Sequence, residues 1–142
     1  MFANITLITL CVADIAEATH FYESLGFVKS TRASQAEVSF LDAGGIVLAL
    51  WDREAQIEDA NAGALWNGNG GIAVAQNVAN EAEVDAVLAK AEAAGARILK
   101  PGAKTFWGGY NGYFADRDGH LWEIAFNPHW DLDAKGRLKL PE

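Results

Sequence analysis

Glu123 is the residue whose type and setting most invite chemistry. It stands midway along Leu121–Phe126, LWEIAF, an otherwise apolar stretch with strand character. Successive strand residues point to opposite faces, so Trp122, Ile124 and Phe126 share one face while Leu121, Glu123 and Ala125 share the other. A glutamate in a one-sided sheet commonly just faces water. Here, three large apolar residues claim the packed face, which leaves the carboxylate on the inner, concave side. There it can serve as a general base, or as an acceptor that orients a bound molecule. Tyr110–Ala115, YNGYFA, is a partner strand, joined to the first by Asp116-Arg117-Asp118-Gly119, a run rich in turn formers. It carries Asn111 and Tyr113 as hydrogen-bonding candidates. Trp107 and Tyr110 sit on the approaching loop, flanking Gly108-Gly109, and Trp51 is the aromatic of the equivalent strand earlier in the chain. Flat aromatics beside a few polar groups are the usual lining of a site for small organic molecules. Each aromatic taken singly is equally at home in an ordinary core.

Two similar halves must position these groups. In the first, Ile5–Val12 reads as a buried strand. Asp14 and Glu17 have the spacing of a capping box, a helix follows to about Leu25 with Ala18, Phe21, Tyr22 and Leu25 on one face, and Gly26 ends it. Strands are predicted at 27–33, 37–42 and 46–51. In the second half, a strand over 71–76 precedes a helix opened by Asn80 and Glu83 and closed by Gly95. Its apolar stripe is Val84, Val87, Leu88 and Ala91. A strand over 96–100 and the hairpin follow. The resulting organisation is a single domain over 1–142. Repeat one covers about 4–52, a polar connector 53–69 with room for a short helix, repeat two about 70–128, and a peripheral tail 129–142 with an edge strand near 137–140. One β-α-β-β-β unit exposes the open face of a four-stranded sheet. The expected fold is therefore α+β, two such repeats pairing into a cupped eight-stranded sheet with helices outside. Alternation predicts an inward set of Thr9, Cys11, Val47, Ala49, Trp51, Ala73, Asn111, Tyr113 and Glu123.

Composition narrows the function classes. The chain has 142 residues, half of them hydrophobic, which suits a globular domain with a real core. A formal net charge of −8 argues against sequence-independent nucleic-acid binding, which depends on clustered Lys and Arg. No apolar run approaches the roughly 20 residues that span a bilayer, and the first residues lack a basic n-region, so neither a membrane span nor a signal peptide is expected. The single cysteine, Cys11, excludes an internal disulfide and fits a reducing cytoplasm. Cys11 reads as a small strand residue and His20 as a helix-surface histidine.

The paired β-α-β-β-β units, the opening Val12-Ala13-Asp14 followed by FYESLGF, and the closing DRDGHLWEIAFNP resemble the vicinal oxygen chelate superfamily, from about Ile5 to Pro128. That group includes glyoxalase I, bleomycin-resistance proteins, fosfomycin-resistance enzymes and extradiol dioxygenases, and the WGGYNGYF segment is most similar to its glyoxalase-like branch. The resemblance implies a cupped cavity, dimerisation, and in the enzymes a divalent metal held by residues on the first and fourth strands of each unit. Carried over one at a time, those positions fall on Leu7, Ala49, Gly71 and Glu123. Only Glu123 offers a donor, whereas sites for such metals need about three or four N, O or S ligands. His120, in the turn, and His129, beyond the strand, occupy none of the family's ligand positions. Arg117 stands where the family commonly has proline. No metal cofactor is therefore expected, and a site rebuilt around His120 or His129 is the minor alternative.

Two function classes remain open. One is a protein that binds a small organic molecule, in one version a cation between aromatic planes, as in bleomycin resistance. The other is a glyoxalase-type lyase or isomerase, with or without a divalent metal, with Glu123 as general base and Tyr113 or Asn111 as hydrogen-bond donor. A homodimer is expected in either case, because open sheets with apolar inner faces call for a covering layer.

Overall fold

The structure, a computed structural model, describes residues 5–61 and 72–141. The chain divides into two compact units, Met1–Gly70 and Gly71–Glu142. The first contains β1 (Leu7–Val12), α1 (Ile15–Ser24), β2 (Val28–Lys29), β3 (Val38–Asp42), β4 (Val47–Asp52) and α2 (Arg53–Asp59). The second contains β5 (Ala73–Asn77), α3 (Glu81–Ala93), β6 (Arg97–Lys104), β7 (Tyr110–Ala115), β8 (Leu121–Phe126), β9 (Asp131–Leu132) and β10 (Leu138–Lys139). Each unit builds a four-stranded sheet, in the order β1-β4-β3-β2 and β5-β8-β7-β6, and β9 and β10 form a two-stranded ribbon. Fold class and repeat are as the sequence predicts: α+β, with a β-α-β-β-β order in both halves. In each half the first strand runs parallel to the fourth.

Local sequence explains these elements. Asp14 accepts from Glu17 N at 3.0 Å, and Asn80 accepts from Glu83 N at 2.9 Å. Glu83 in turn accepts from Ala79 N, just before the cap, at 2.8 Å, which ties the incoming chain to the first turn of α3. Asp52 caps α2 in the same way, accepting from Ala55 N, and this makes the start of the connector helical. Behind the first sheet α1 packs on β3 and β4, and Phe21, Tyr22, Leu41, Leu48 and Leu50 are all buried. One buried polar contact, Thr19 Oγ1 to Ser39 Oγ at 2.7 Å, lies between α1 and β3. On the opposite face of that sheet, Thr9 stands beside Ala49 and Cys11 beside Trp51.

In the second unit α3 covers one face with Val84, Leu88 and Ala91, all buried. Beneath it Phe114 and Trp122 are cross-strand neighbours with ring centroids 5.9 Å apart and planes 3° from parallel. Ile124 is buried with them, as alternation along β8 requires. Gly112 is needed here, since a Cβ would lie 2.4 Å from Leu88 Cδ1 and 2.8 Å from the Lys100 carbonyl oxygen. Between β7 and β8 the predicted turn forms: Gly119 takes a φ of 85°, and Asp116 Oδ1 accepts from the backbone N–H groups of Asp118 and His120.

Two strand expectations need correction. The strand predicted over 27–33 is only Val28–Lys29, because Ser30 turns the chain. Its hydroxyl accepts from Ala33 N and its carbonyl from Ser34 N, the local bonds by which serine competes with a sheet ladder. The strand predicted over 96–100 runs on to Lys104, through Pro101 and Gly102. As the outer strand of its sheet, β6 tolerates the missing N–H of Pro101. It also shifts register twice against β7, between Ile98 and Lys100 and between Lys100 and Ala103. The strand predicted from Gly71 begins at Ala73; Gly71 itself lies outside the described residues.

Candidate functional site

Three neighbouring strands, β6, β7 and β8, bring one polar array together on the face turned away from α3. Glu123 on β8 is paired in register with Tyr113 on β7, which is paired in turn with Lys100 on β6. The Tyr113 hydroxyl donates a short hydrogen bond to Glu123 Oε2. Asn111 Nδ2 donates to the same oxygen at 3.1 Å. Lys100 Nζ donates to Asn111 Oδ1 at 2.6 Å, and so fixes which end of the amide faces the carboxylate. Asn111 is buried, whereas Lys100, Tyr113 and Glu123 are half-buried. Donation to the carboxylate and partial burial both stabilise the protonated phenol, and the pKa of Tyr113 rises to about 12. Both bonds to Glu123 fall on Oε2, and among the described residues none falls on Oε1. The array thus holds a carboxylate in place and leaves one of its oxygens available.

The sequence-predicted residues divide among three places. Glu123, Tyr113 and Asn111 come together as expected. Tyr110 does not join them, which corrects the expectation that it shares their face. It is one residue from Asn111 on β7, so it points towards α3, where its hydroxyl donates to Asp85 Oδ1 at 2.9 Å. That hydrogen bond to Asp85 raises its pKa as well. Trp107 lies in the turn before β7, and its ring occupies the place a side chain at 109 would take. A Cβ on Gly109 would come within 1.8 Å of that ring. Trp51 belongs to the first unit, on β4 between Cys11 and Val38, and is half-buried. Of the expected inward set, Ala73 on β5 shares the Glu123 face as the cross-strand neighbour of Leu121.

Lys100 is the member that alternation missed. Ile98 pairs with Phe114 on the α3 side, so a strict two-residue period would put Lys100 on that side too. The extra residue at Leu99 reverses the pattern and sets Lys100 opposite Tyr113. Its signal in the sequence was indirect, a lysine just before Pro101-Gly102 in a strand long enough to be bulged.

As for a metal, Leu7 and Ala49 lie in β1 and β4 with hydrocarbon side chains, Gly71 is outside the described residues, and Glu123 Oε2 is already engaged. Among the described residues no three His, Cys, Asp or Glu side chains converge. His120 belongs to the Asp116 turn, and exposed His129 approaches Gly108. No helix of the described residues is long and apolar enough to cross a membrane.

This fold and this strand order define a class. The profile of the Glyoxalase/Bleomycin resistance protein/Dioxygenase superfamily matches residues 4–124, and the chain belongs to that superfamily. Among solved structures, a glyoxalase-related enzyme from Fulvimarina pelagi is 36% identical, covering 99% of this chain and 100% of its own, with a TM-score of 0.89. A glyoxalase/bleomycin resistance protein/dioxygenase from Nocardioides is 25% identical, covering 99% and 91%, with a TM-score of 0.72. Lactoylglutathione lyase from Agrobacterium tumefaciens shares the fold at 21% identity, covering 89% and 96%, with a TM-score of 0.67. No curated protein matches the chain.

Proposed function

We propose that this protein binds a small organic molecule at the Glu123 face of its second sheet, and does so without a metal. The observation that carries this reading is the hydrogen-bond array itself. Tyr113 and Asn111 hold Glu123 by one oxygen, and the other is left to accept a bond from a ligand. A carboxylate fixed in this way costs little further ordering when a ligand arrives, which favours affinity. Two of the family's metal-ligand positions in the described residues are Leu7 and Ala49, and hydrocarbon side chains cannot supply the donors a transition metal needs. A homodimer completes the proposal, because the edge strands β1 and β5 are bordered by exposed Ile5, Leu7 and Ile72.

A second reading has an observation of its own. Among the described residues no hydrogen bond falls on Glu123 Oε1, and Lys100, bound to Asn111, brings a positive charge to the same array; both support a general-base reading. In a lyase or isomerase, Oε1 would take a proton from carbon next to a carbonyl, and the electron pair left behind would move onto the carbonyl oxygen. The 36% identity to a protein described as a glyoxalase-related enzyme supports keeping this class in view.

Protein purified gently and without an affinity tag tests both. Mass spectrometry is expected to release a small organic molecule on denaturation, and elemental analysis no stoichiometric transition metal. Glu123→Gln should keep the fold, since the amide is isosteric, and should weaken retention of that molecule. One tightly held transition metal per chain, lost in Glu123→Ala, would overturn the metal-free reading. Turnover that Glu123→Gln abolishes with affinity unchanged would select the enzyme.

A further inference from the structure

Resting on the reading of the Glu123 face as a ligand site, we infer that its ligand carries an anionic oxygen group taken by Lys100, beside a hydrogen-bond donor taken by Glu123. The ammonium and the carboxylate are held one amide group apart, since Asn111 receives Lys100 through Oδ1 and gives to Glu123 through Nδ2. Lys100 has three N–H donors and spends one on Asn111. No carboxylate among the described residues lies within ion-pair distance of Nζ, in contrast to Lys104, paired with Glu81, and Arg137, paired with Asp133. A half-buried ammonium whose only hydrogen-bond partner among the described residues is a neutral amide retains most of its charge for a ligand.

The complementary half is Glu123 Oε1, which can accept but not donate while ionised. A hydroxyl suits it, whereas a second anion placed there would be repelled. The arrangement therefore selects a dipolar molecule, anion at one end and donor at the other, and disfavours the plain cation that an acidic protein with exposed aromatics would otherwise attract. The net charge of −8 does not reverse this preference. At physiological ionic strength, charges beyond about 8 Å are screened, so the contact charge of Lys100 dominates. The register shift at Leu99 is what places the lysine here, so the selectivity originates in the bulge of β6.

Three two-carbon probes that share a hydroxyl test this: glycolate, an anion; glycolamide, neutral; and ethanolamine, a cation. The full chain is titrated with each at fixed ionic strength. The side-chain amide signal of Asn111, followed by heteronuclear NMR, is the local reporter. Glycolate should shift that signal saturably, with glycolamide and ethanolamine weaker by about tenfold or more, the loss of one charge-assisted hydrogen bond. Lys100→Met should abolish the glycolate preference and Lys100→Arg should keep it; thermal unfolding confirms that both variants are folded. Ethanolamine binding as tightly as glycolate, glycolate binding that survives Lys100→Met, or no saturable shift with glycolate would each overturn the inference. The binding reading itself fails separately, if gently purified protein releases nothing and Glu123→Gln changes no retention.

Discussion

Replacing Tyr113 by phenylalanine removes one hydroxyl and tests whether the bond to Glu123 is as strong as its setting implies. A hydrogen bond to a charged group contributes about 1.5–3 kcal/mol. The rise of the Tyr113 pKa from its ordinary 10 to about 12 corresponds to at most about 3 kcal/mol. Water reaches the half-buried ring, and screening brings the expected loss to about 1–2 kcal/mol. For a chain of this size that lowers Tm by about 3–7 °C at pH 7. The pH dependence follows from the direction of the change. The folded state holds the phenol proton more tightly than the unfolded state, so the contribution is present in full below pH 10. It is lost as pH rises from about 10 through about 12, where the folded protein gives up that proton. The stability difference between wild type and Tyr113→Phe should therefore shrink across this window. Denaturant unfolding at pH 7, 10, 11 and 12 measures it, and ring-carbon NMR of labelled tyrosine gives the titration directly. Tyr22 and Tyr110 are present in both proteins and cancel in the difference. A Tyr113 that titrates near 10, or a Tyr113→Phe variant as stable as wild type at pH 7, would refute the reasoning.

Three other outcomes follow. Gly112→Ala should destabilise by about 1–3 kcal/mol in denaturant unfolding, because the new methyl group meets both Leu88 and the β6 backbone, and the backbone cannot move aside cheaply. Gly109→Ala should displace the Trp107 ring, changing the tryptophan emission spectrum, and should also destabilise the fold, because the new methyl group would lie 2.5 Å from the Phe126 carbonyl oxygen; an unchanged spectrum would contradict the placement of that ring. Light scattering at micromolar concentration should report a dimer, and a monomer there would remove dimerisation from the proposed function.

Local sequence determined a great deal about this protein. Both helix starts were legible because an Asp or Asn side chain captures a backbone N–H three residues on, an interaction complete within four residues. The Glu123 face was legible for a related reason: Trp122 and Ile124 are too apolar to face water, and a period of two then places the glutamate opposite them. Asn111 and Tyr113 follow from the same alternation along β7. Tyr110 opens the predicted strand, and the same alternation puts it on the opposite face from Asn111; grouping it with the approaching loop obscured this. What only tertiary structure decided depends on contacts between distant segments. Asp85 on α3, 25 residues away, takes the Tyr110 hydroxyl. The direction of the Asn111 amide is set by Lys100, eleven residues earlier on another strand. Lys100 itself reaches the site because β6 shifts register against β7, and a bulge is a property of the paired strands that a period-two reading of one strand cannot contain.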